Sequence, residues 1–210
     1  MVLKNFEPAK LRAELHEMSV KHRIAFAASC CERLVPNYIG FAQTENWGDP
    51  NLIRYSLDQV WSFLRGGVIT GESIRELSQR CEAVAPDTEV YSSNLTSAAL
   101  DAVGAVVETL DSCLDGSVEH AVSAASLARD TIDMYIQVRD DLDYTDPEFE
   151  EKILNDQLMQ EELQKQSKDI EDLKAGGPLG EDTLDRIRLS SSQAGLQHWL
   201  REIAASSDIV

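Results

Sequence analysis

Apolar residues recur along almost the whole chain at spacings of three and four, which is the period of an amphipathic helix. Runs of β-branched residues of the kind that form strands are missing, and Gly and Pro are sparse, at 11 and 6 of 210 residues. The pattern therefore predicts an all-α fold, a compact bundle of seven or eight helices. The helices are expected over about 7–17, 18–45, 50–65, 71–84, 92–114, 117–143, 147–174 and 181–205.

Helix-breaking residues suggest these boundaries. Asp49 and Asp146 each precede a proline, which is typical of a helix start, because Asp accepts free backbone N–H groups and Pro at the first position loses no hydrogen bond. Gly116 and Ser117 predict the turn of an antiparallel hairpin. Pro36 is expected either to kink the second helix or to start a new one there. An exposed apolar stripe on the last helix would serve a homodimer.

Charge divides the chain into two unequal parts. Residues 1–85 hold ten Lys and Arg against ten Asp and Glu, whereas residues 86–210 hold nine against 27, which accounts for the net charge of −18. Such a field repels nucleic acid and anionic membranes and is compatible with a basic protein partner. The N-terminus lacks the apolar core of a signal peptide, and no stretch approaches the ~18 apolar residues of a membrane span, so we expect a cytoplasmic protein.

One segment, residues 30–64, resembles a known family. It contains C-E-R-x-x-P-N-Y-x-x-F at residues 31–41, then a Gly-Asp turn and a helix that ends near Trp61. These motifs resemble the YjaG-type bacterial proteins, domain of unknown function 416, and residues 115–122 resemble a second, weaker family motif. The resemblance covers about 7–140 and implies an all-α fold but no activity. It predicts a helical core over 1–145, with an acidic helix and an amphipathic C-terminal helix over 146–210 packed on that core.

The polar and aromatic residues around Pro36 suggest a pocket near the expected kink. Its candidate residues are Glu32, Asn37, Tyr38 and Trp47. A pocket of this kind would make the chain a small-molecule-binding protein or an enzyme. The alternative is structural, with Glu32 and Arg33 in an ion pair and the Tyr38 hydroxyl bound to carbonyls that Pro36 frees.

Acidic residues crowd the end of the sixth predicted helix and the start of the next. The candidate partner-binding residues are Asp130, Asp133, Asp140, Asp141, Asp143, Glu148, Glu150 and Glu151. They are interpreted either as a docking patch for a cationic protein or as a solvated face that favours solubility.

No pattern of catalytic or metal-ligating residues accompanies these features. The four cysteines form no C-x-x-C pair and predict buried, reduced thiols, and the four histidines are scattered. No H-E-x-x-H or G-x-S-x-G motif occurs, so we predict no catalytic residue, metal or cofactor. The leading hypothesis is a non-catalytic protein–protein interaction module, in its most concrete form an immunity-type inhibitor of a basic toxin. The alternatives are the small-molecule pocket and a structural homo-oligomer.

Overall fold

The computed structural model describes residues 5–175, 177 and 179–194, and within these ranges all regular secondary structure is helical. This confirms the all-α prediction. The described residues form nine helices: α1 Pro8–His16, α2 Val20–Glu45, α3 Pro50–Leu64, α4 Gly71–Ala83, α5 Thr96–Asp115, α6 Val118–Arg139, α7 Phe149–Asn155, α8 Gln157–Ala175 and α9 Glu181–Gln193.

The additional helix arises because the stretch expected over 147–174 is broken. Asp156 has an extended backbone, with φ −63° and ψ 142°, which ends α7. Its side chain then accepts a hydrogen bond from the Leu158 N–H at 2.8 Å and so caps the start of α8. Asp156 interrupts the helical hydrogen bonds without interrupting the apolar period, and periodicity alone could not show this break.

Helix α2 lies at the centre and packs against α3, α5, α6, α8 and α9. Its buried residues surround the whole helix from Ile24 to Ala42, as expected for a core helix. Ser19 caps its start, because the Ser19 hydroxyl accepts from the His22 N–H, and the helix continues through Pro36 to Glu45. The prediction that Pro36 starts a new helix is therefore wrong.

Helices α5 and α6 form the predicted hairpin. Gly116 adopts the left-handed conformation, with φ 67°, and a Cβ at this position would lie 2.9 Å from Val20 Cγ1. The Ser117 hydroxyl accepts from the Glu119 N–H at 3.3 Å and caps α6. Helix α6 ends at Arg139, four residues before the expected end at 143, and residues 140–148 form turns that lead into α7.

Helix α1 packs on α6 and has α8 at its other flank. It buries Leu11 and Leu15, which lie one helical turn apart. Arg12 forms a bidentate ion pair with Glu119 of α6, with N–O distances of 2.6 and 2.7 Å. Short α1 is thus held on α6 by two leucines and one arginine.

Helix α9 packs on α2 and α8 and buries Leu184 and Ile187 in the common core. These two residues belong to the apolar stripe that was proposed to serve a homodimer, and here the protein's own core buries them. The remaining apolar residues of that predicted helix lie outside the described residues: Leu196, Trp199, Leu200 and Ile203. No helix in the described part of the chain is both long and apolar enough to cross a membrane.

Candidate functional site

Arg33 lies in the interior and joins α2 to α8. Its Nε and Nη2 atoms donate to the two carboxylate oxygens of Glu162 at 2.8 and 2.7 Å, and Nη1 donates to Asp169 at 3.2 Å. All three side chains are only 1% exposed. Lys165 also pairs with Asp169, so two cations balance two carboxylates. Because buried charges are tolerated only when they are paired, this cluster positions α8 on α2.

Glu32, the preceding residue, joins α2 to α3 and α9. Its carboxylate accepts from Arg54 at 2.7 and 2.8 Å, from Trp61 Nε1 at 2.8 Å and from Arg188 Nε at 3.0 Å. Asp58 also pairs with both arginines. Glu32 and Arg33 therefore each bind other helices and do not form the ion pair with each other that the structural alternative supposed.

The Tyr38 hydroxyl donates to the carbonyl of Val84 at 2.8 Å and accepts from the Asp49 N–H at 3.1 Å. It thus ties the end of α4 to the start of α3. The expectation that it binds a carbonyl freed by Pro36 is wrong, because the carbonyl that it reaches is that of Val84, the residue after α4.

Trp47 and Asn37 complete the four candidate pocket residues. The Trp47 ring packs on Phe41 and Tyr91, with ring centroids 6.1 and 5.3 Å apart. Phe41 also contacts Tyr38, so Tyr38 and Trp47 share one aromatic cluster. Asn37 is fully buried, and its amide has no hydrogen-bond partner among the described residues. Glu32 belongs to its own ion cluster, and none of the four lines the cavities described below.

The cysteines of this interior are poor nucleophiles. All four are free thiols, and three of them are fully buried. Burial raises the pKa of Cys30 and of Cys113 to about 12, and it raises the pKa of Cys31 as well. The thiolate form is therefore scarce at neutral pH. In the described part of the chain, moreover, no three His, Cys, Asp or Glu side chains are grouped to hold a metal ion.

A surface cavity of about 540 Å³ opens between the N-terminal segment, α6, α7 and α8, and we call it the α6–α8 groove. Its apolar lining comes mainly from five side chains: Phe6, Ile153, Leu154, Met159 and Leu163. Its acidic rim comes from three: Glu7, Asp130 and Glu150. An apolar floor with a charged rim is typical of a site that anchors a side chain and selects its flanking charge.

The rim of the groove is negative overall. Arg129, which also lines the groove, donates to Asp130 at 2.8 Å and pairs with Asp133 at 2.6 Å, so its charge is already balanced. Glu7 and Glu150 are exposed and have no ion pair among the described residues. The groove therefore favours a ligand with positive charge.

The other predicted acidic residues lie apart from this rim. Asp140, Glu148 and Glu151 line a second cavity of about 460 Å³ near the end of α6, and Asp141 and Asp143 are exposed in the turn before α7. The structure thus brings Asp130 and Glu150 together at the groove, with Asp133 bound to Arg129 beside them. It does not gather all eight residues into one patch.

A family model with the description Protein of unknown function (DUF416) matches residues 10–197. This chain belongs to the DUF416 family. The match runs well past residue 140, where the sequence resemblance was expected to end, so α7, α8 and α9 lie within the span of the family.

Similar proteins extend this comparison. Uncharacterized protein YjaG of Escherichia coli K12 is 31% identical over 147 residues, which cover 69% of this chain and 72% of YjaG. An uncharacterized protein of Haemophilus influenzae is 26% identical over 143 residues, which cover 67% of this chain and 72% of that protein. A crystal structure of a DUF416 family protein from Shewanella baltica OS155 superposes with a TM-score of 0.80 at 22% identity, covering 91% of this chain and 96% of that one. The last likeness shows that the two chains share a fold.

Sequence reasoning missed the part that Phe6 plays in this DUF416 protein. Phe6 lies two residues before Pro8, the first residue of α1, and Leu11 is the fourth residue of that helix. An apolar pair at these two positions is the pattern of a hydrophobic staple, which fixes how the chain enters a helix. That pattern was readable in the sequence. That Phe6 lines the same cavity as Met159 and Leu163 was not, because this depends on how α8 packs.

Proposed function

We propose that this protein is a non-catalytic protein-interaction module whose α6–α8 groove binds a cationic, amphipathic segment of a partner protein. The observation that supports this best is the groove itself, where an apolar floor lies beneath three acidic side chains. An apolar residue of the partner would fill the space above Met159 and Leu163. Its flanking Lys or Arg residues would pair with Glu7, Asp130 and Glu150.

Helix α1 provides a precedent within the same molecule. It lies on α6 with Leu11 and Leu15 buried and with Arg12 paired to Glu119. The groove begins at the N-terminal end of α1 and is walled by α6 and α8. The surface that extends the path of α1 is thus suited to a second segment of the same chemical kind, with apolar anchors one turn apart and cationic neighbours.

The charge of the whole chain supports a basic partner. The net charge of −18 attracts cations over long distances and raises the association rate at low ionic strength. The immunity-type inhibitor is a narrower form of this proposal. It requires in addition that the partner be a toxin and that complex formation abolish its activity, which an activity assay with and without this protein would decide.

Affinity capture with matched charge variants tests the proposal. Tagged wild-type protein, the Asp130→Lys/Glu150→Lys variant and the Glu82→Lys/Glu89→Lys variant are used as bait in a lysate of the organism that encodes the chain. Both variants change the net charge equally, but Glu82 and Glu89 are exposed residues outside the groove. A stoichiometric basic protein that the wild type and the Glu82/Glu89 variant retain, and that the groove variant loses, is the expected result.

Equal capture by both variants would mean that net charge alone attracts the partner, and it would contradict a binding site at the groove. Capture of no protein by any of the three baits would also count against the proposal. Washing at increasing salt adds an internal check. The apolar anchor should leave part of the complex intact at salt concentrations that remove purely electrostatic binding.

A further inference from the structure

The N-terminal segment 5–7 separates the α6–α8 groove from a neighbouring cavity. This neighbour has a volume of about 420 Å³ and lies between α1 and α8, where Leu11, Gln166 and Ile170 line it. Both cavities are lined by Asn5, Phe6, Glu7 and Leu163. The two cavities are therefore parts of one longer depression over α8, and segment 5–7 crosses it above Leu163.

The segment is attached mainly through one side chain. The Phe6 ring is partly buried and packs against the core, whereas Asn5 and Glu7 are exposed. Glu7 makes no side-chain cap to α1, and among the described residues neither Asn5 nor Phe6 has a hydrogen bond to another element. Helix α1, in contrast, is held by Leu11, Leu15 and the Arg12–Glu119 ion pair. The Phe6 side chain can consequently leave its place without undocking α1, while the Glu7 carbonyl keeps its hydrogen bond from the Leu11 N–H at 2.9 Å.

We propose that Phe6 is an autoinhibitory gate, whose ring occupies the place that an apolar side chain of the partner takes in the complex. This inference rests on the proposed function of the groove. When Phe6 swings away, the two cavities become one groove from Met159 to Ile170. These residues are eleven positions apart on α8, so the open groove is about 16 Å long and accepts about three turns of a helix.

The cavity between α1 and α8 has the same charge preference as the α6–α8 groove. Glu7, Glu14 and Glu171 line it together with a single cation, Lys10. Acidic side chains therefore border the open groove along its whole length. The ligand that fits is a cationic amphipathic helix of about three turns, longer than the closed groove can hold.

The test measures binding of a defined probe to the full-length protein. The probe is a fluorescein-labelled synthetic peptide of about three helical turns, with leucines on one face and arginines on the other. Its dissociation constant is measured by fluorescence anisotropy for the wild type, Phe6→Ala, Phe6→Leu and Phe63→Ala. Phe63 is a partly buried aromatic residue of α3 and controls for loss of a ring elsewhere.

We expect Phe6→Ala to bind the peptide about tenfold more tightly than the wild type, because the free energy that holds the ring in place no longer opposes binding. Phe6→Leu should lie between them, and Phe63→Ala should match the wild type. Thermal unfolding of each variant verifies that it is folded. If Phe6→Ala does not fold, the affinity of Phe6→Leu for the peptide tests the gate instead.

Equal or weaker binding by both Phe6 variants, with binding by Asp130→Lys/Glu150→Lys lost, would overturn the gate and leave the proposed function standing. If the peptide binds none of the proteins, even without the Phe6 ring, the proposed function fails and the gate fails with it.

Discussion

The interior around Arg33 and the surface around the α6–α8 groove use the same kinds of charged side chain in opposite ways. In the interior, Glu162 and Asp169 are 1% exposed and bind Arg33 directly. At the groove, Glu7 and Glu150 are exposed and have no ion pair among the described residues. A carboxylate in this protein can thus hold two helices together or remain available to a partner.

The contrast shows that the charge of a residue, or its place in a sequence motif, says little about its role until its ion pairs are known. Glu32 and Arg33 are neighbours in the C-E-R-x-x-P-N-Y-x-x-F motif, yet both side chains are bound to other helices and serve the fold. Asp130 and Glu150 belong to no motif and lie 20 residues apart, yet they share the rim of the groove. The candidate for function is therefore the set of acidic side chains that the fold leaves exposed at the groove.

The largest expected effect comes from removing the buried guanidinium of Arg33. Arg33→Met leaves Glu162 and Asp169 buried with only Lys165 nearby. An uncompensated buried charge is strongly destabilising, so the free energy of unfolding should fall by about 3–5 kcal/mol. Urea denaturation followed by circular dichroism measures the change.

Arg129→Met is the matched surface control. Arg129 pairs with Asp130 and Asp133 near solvent, so its loss should cost less than about 1 kcal/mol. If the two arginine variants lose the same stability, the distinction between interior and surface charges is wrong.

The second prediction concerns the neutral polar contact of Tyr38. Gly48 has φ +95°, and a Cβ there would lie 2.6 Å from the Tyr38 hydroxyl oxygen. Gly48→Ala therefore combines backbone strain with displacement of the hydroxyl from Val84 and Asp49, and it should cost about 2–4 kcal/mol. Gly66 has the same φ but nothing within 4 Å, so Gly66→Ala should cost only about 1–2 kcal/mol. Equal losses in thermal unfolding would show that Tyr38 is not held tightly.

Much of the fold was predictable from the sequence. The 3.6-residue period located the helices, and Gly116 with Ser117 located the hairpin turn, because these signals are local. The break at Asp156 and the passage of α2 through Pro36 were not predictable in this way. Both depend on whether surrounding helices satisfy the backbone, which is a property of packing.

The candidate site was less predictable, because its residues meet only through tertiary structure. The acidic residues were recognised as a group, but Asp130 and Glu150 line the groove, whereas Asp140 and Glu148 line the second cavity. A buried polar line on α8, at Glu162, Gln166 and Asp169, has the spacing of one helix face and could have indicated a buried cation. Nothing local identified that cation as Arg33, which is 129 residues from Glu162.

The third prediction uses a carboxyl group that is neither fully buried and ion-paired, as in the interior, nor fully exposed, as at the groove. Asp101 on α5 is partly buried and accepts a hydrogen bond from Thr131 at 2.8 Å. Burial, with a further contribution from the charge of Asp130, raises the pKa of Asp101 to about 6 from 3.8. The folded state therefore binds a proton more tightly than the unfolded state, and this group adds stability as the pH falls from about 6 to about 4.

Asp101→Asn should accordingly be more stable than the wild type at pH 7, by about 1–3 kcal/mol, and the advantage should shrink as the pH approaches 4. Asp143→Asn provides a control of opposite sign. Hydrogen bonds from Thr145 lower the pKa of Asp143, so the stability that this group adds is present above its ordinary pKa and is lost in acid. Urea midpoints at pH 4, 5, 6 and 7 measure both trends, and a pH-independent difference for Asp101→Asn would contradict a buried, titrating carboxyl.

The smallest expected effect separates two sets of exposed acids that have the same charge. Glu148 and Glu151 lie at the second cavity, whereas Asp130 and Glu150 border the groove. If the groove is the binding site, Glu148→Lys/Glu151→Lys should only weaken long-range attraction, so peptide association in stopped-flow fluorescence should slow about two- to threefold at low salt. The dissociation rate of the peptide from this variant should stay unchanged, because no direct contact is lost. Asp130→Lys/Glu150→Lys should instead accelerate dissociation as well. An equal increase in dissociation rate for both pairs would place the bound segment across α7, and exposed charge on either side of that helix would then have the same role.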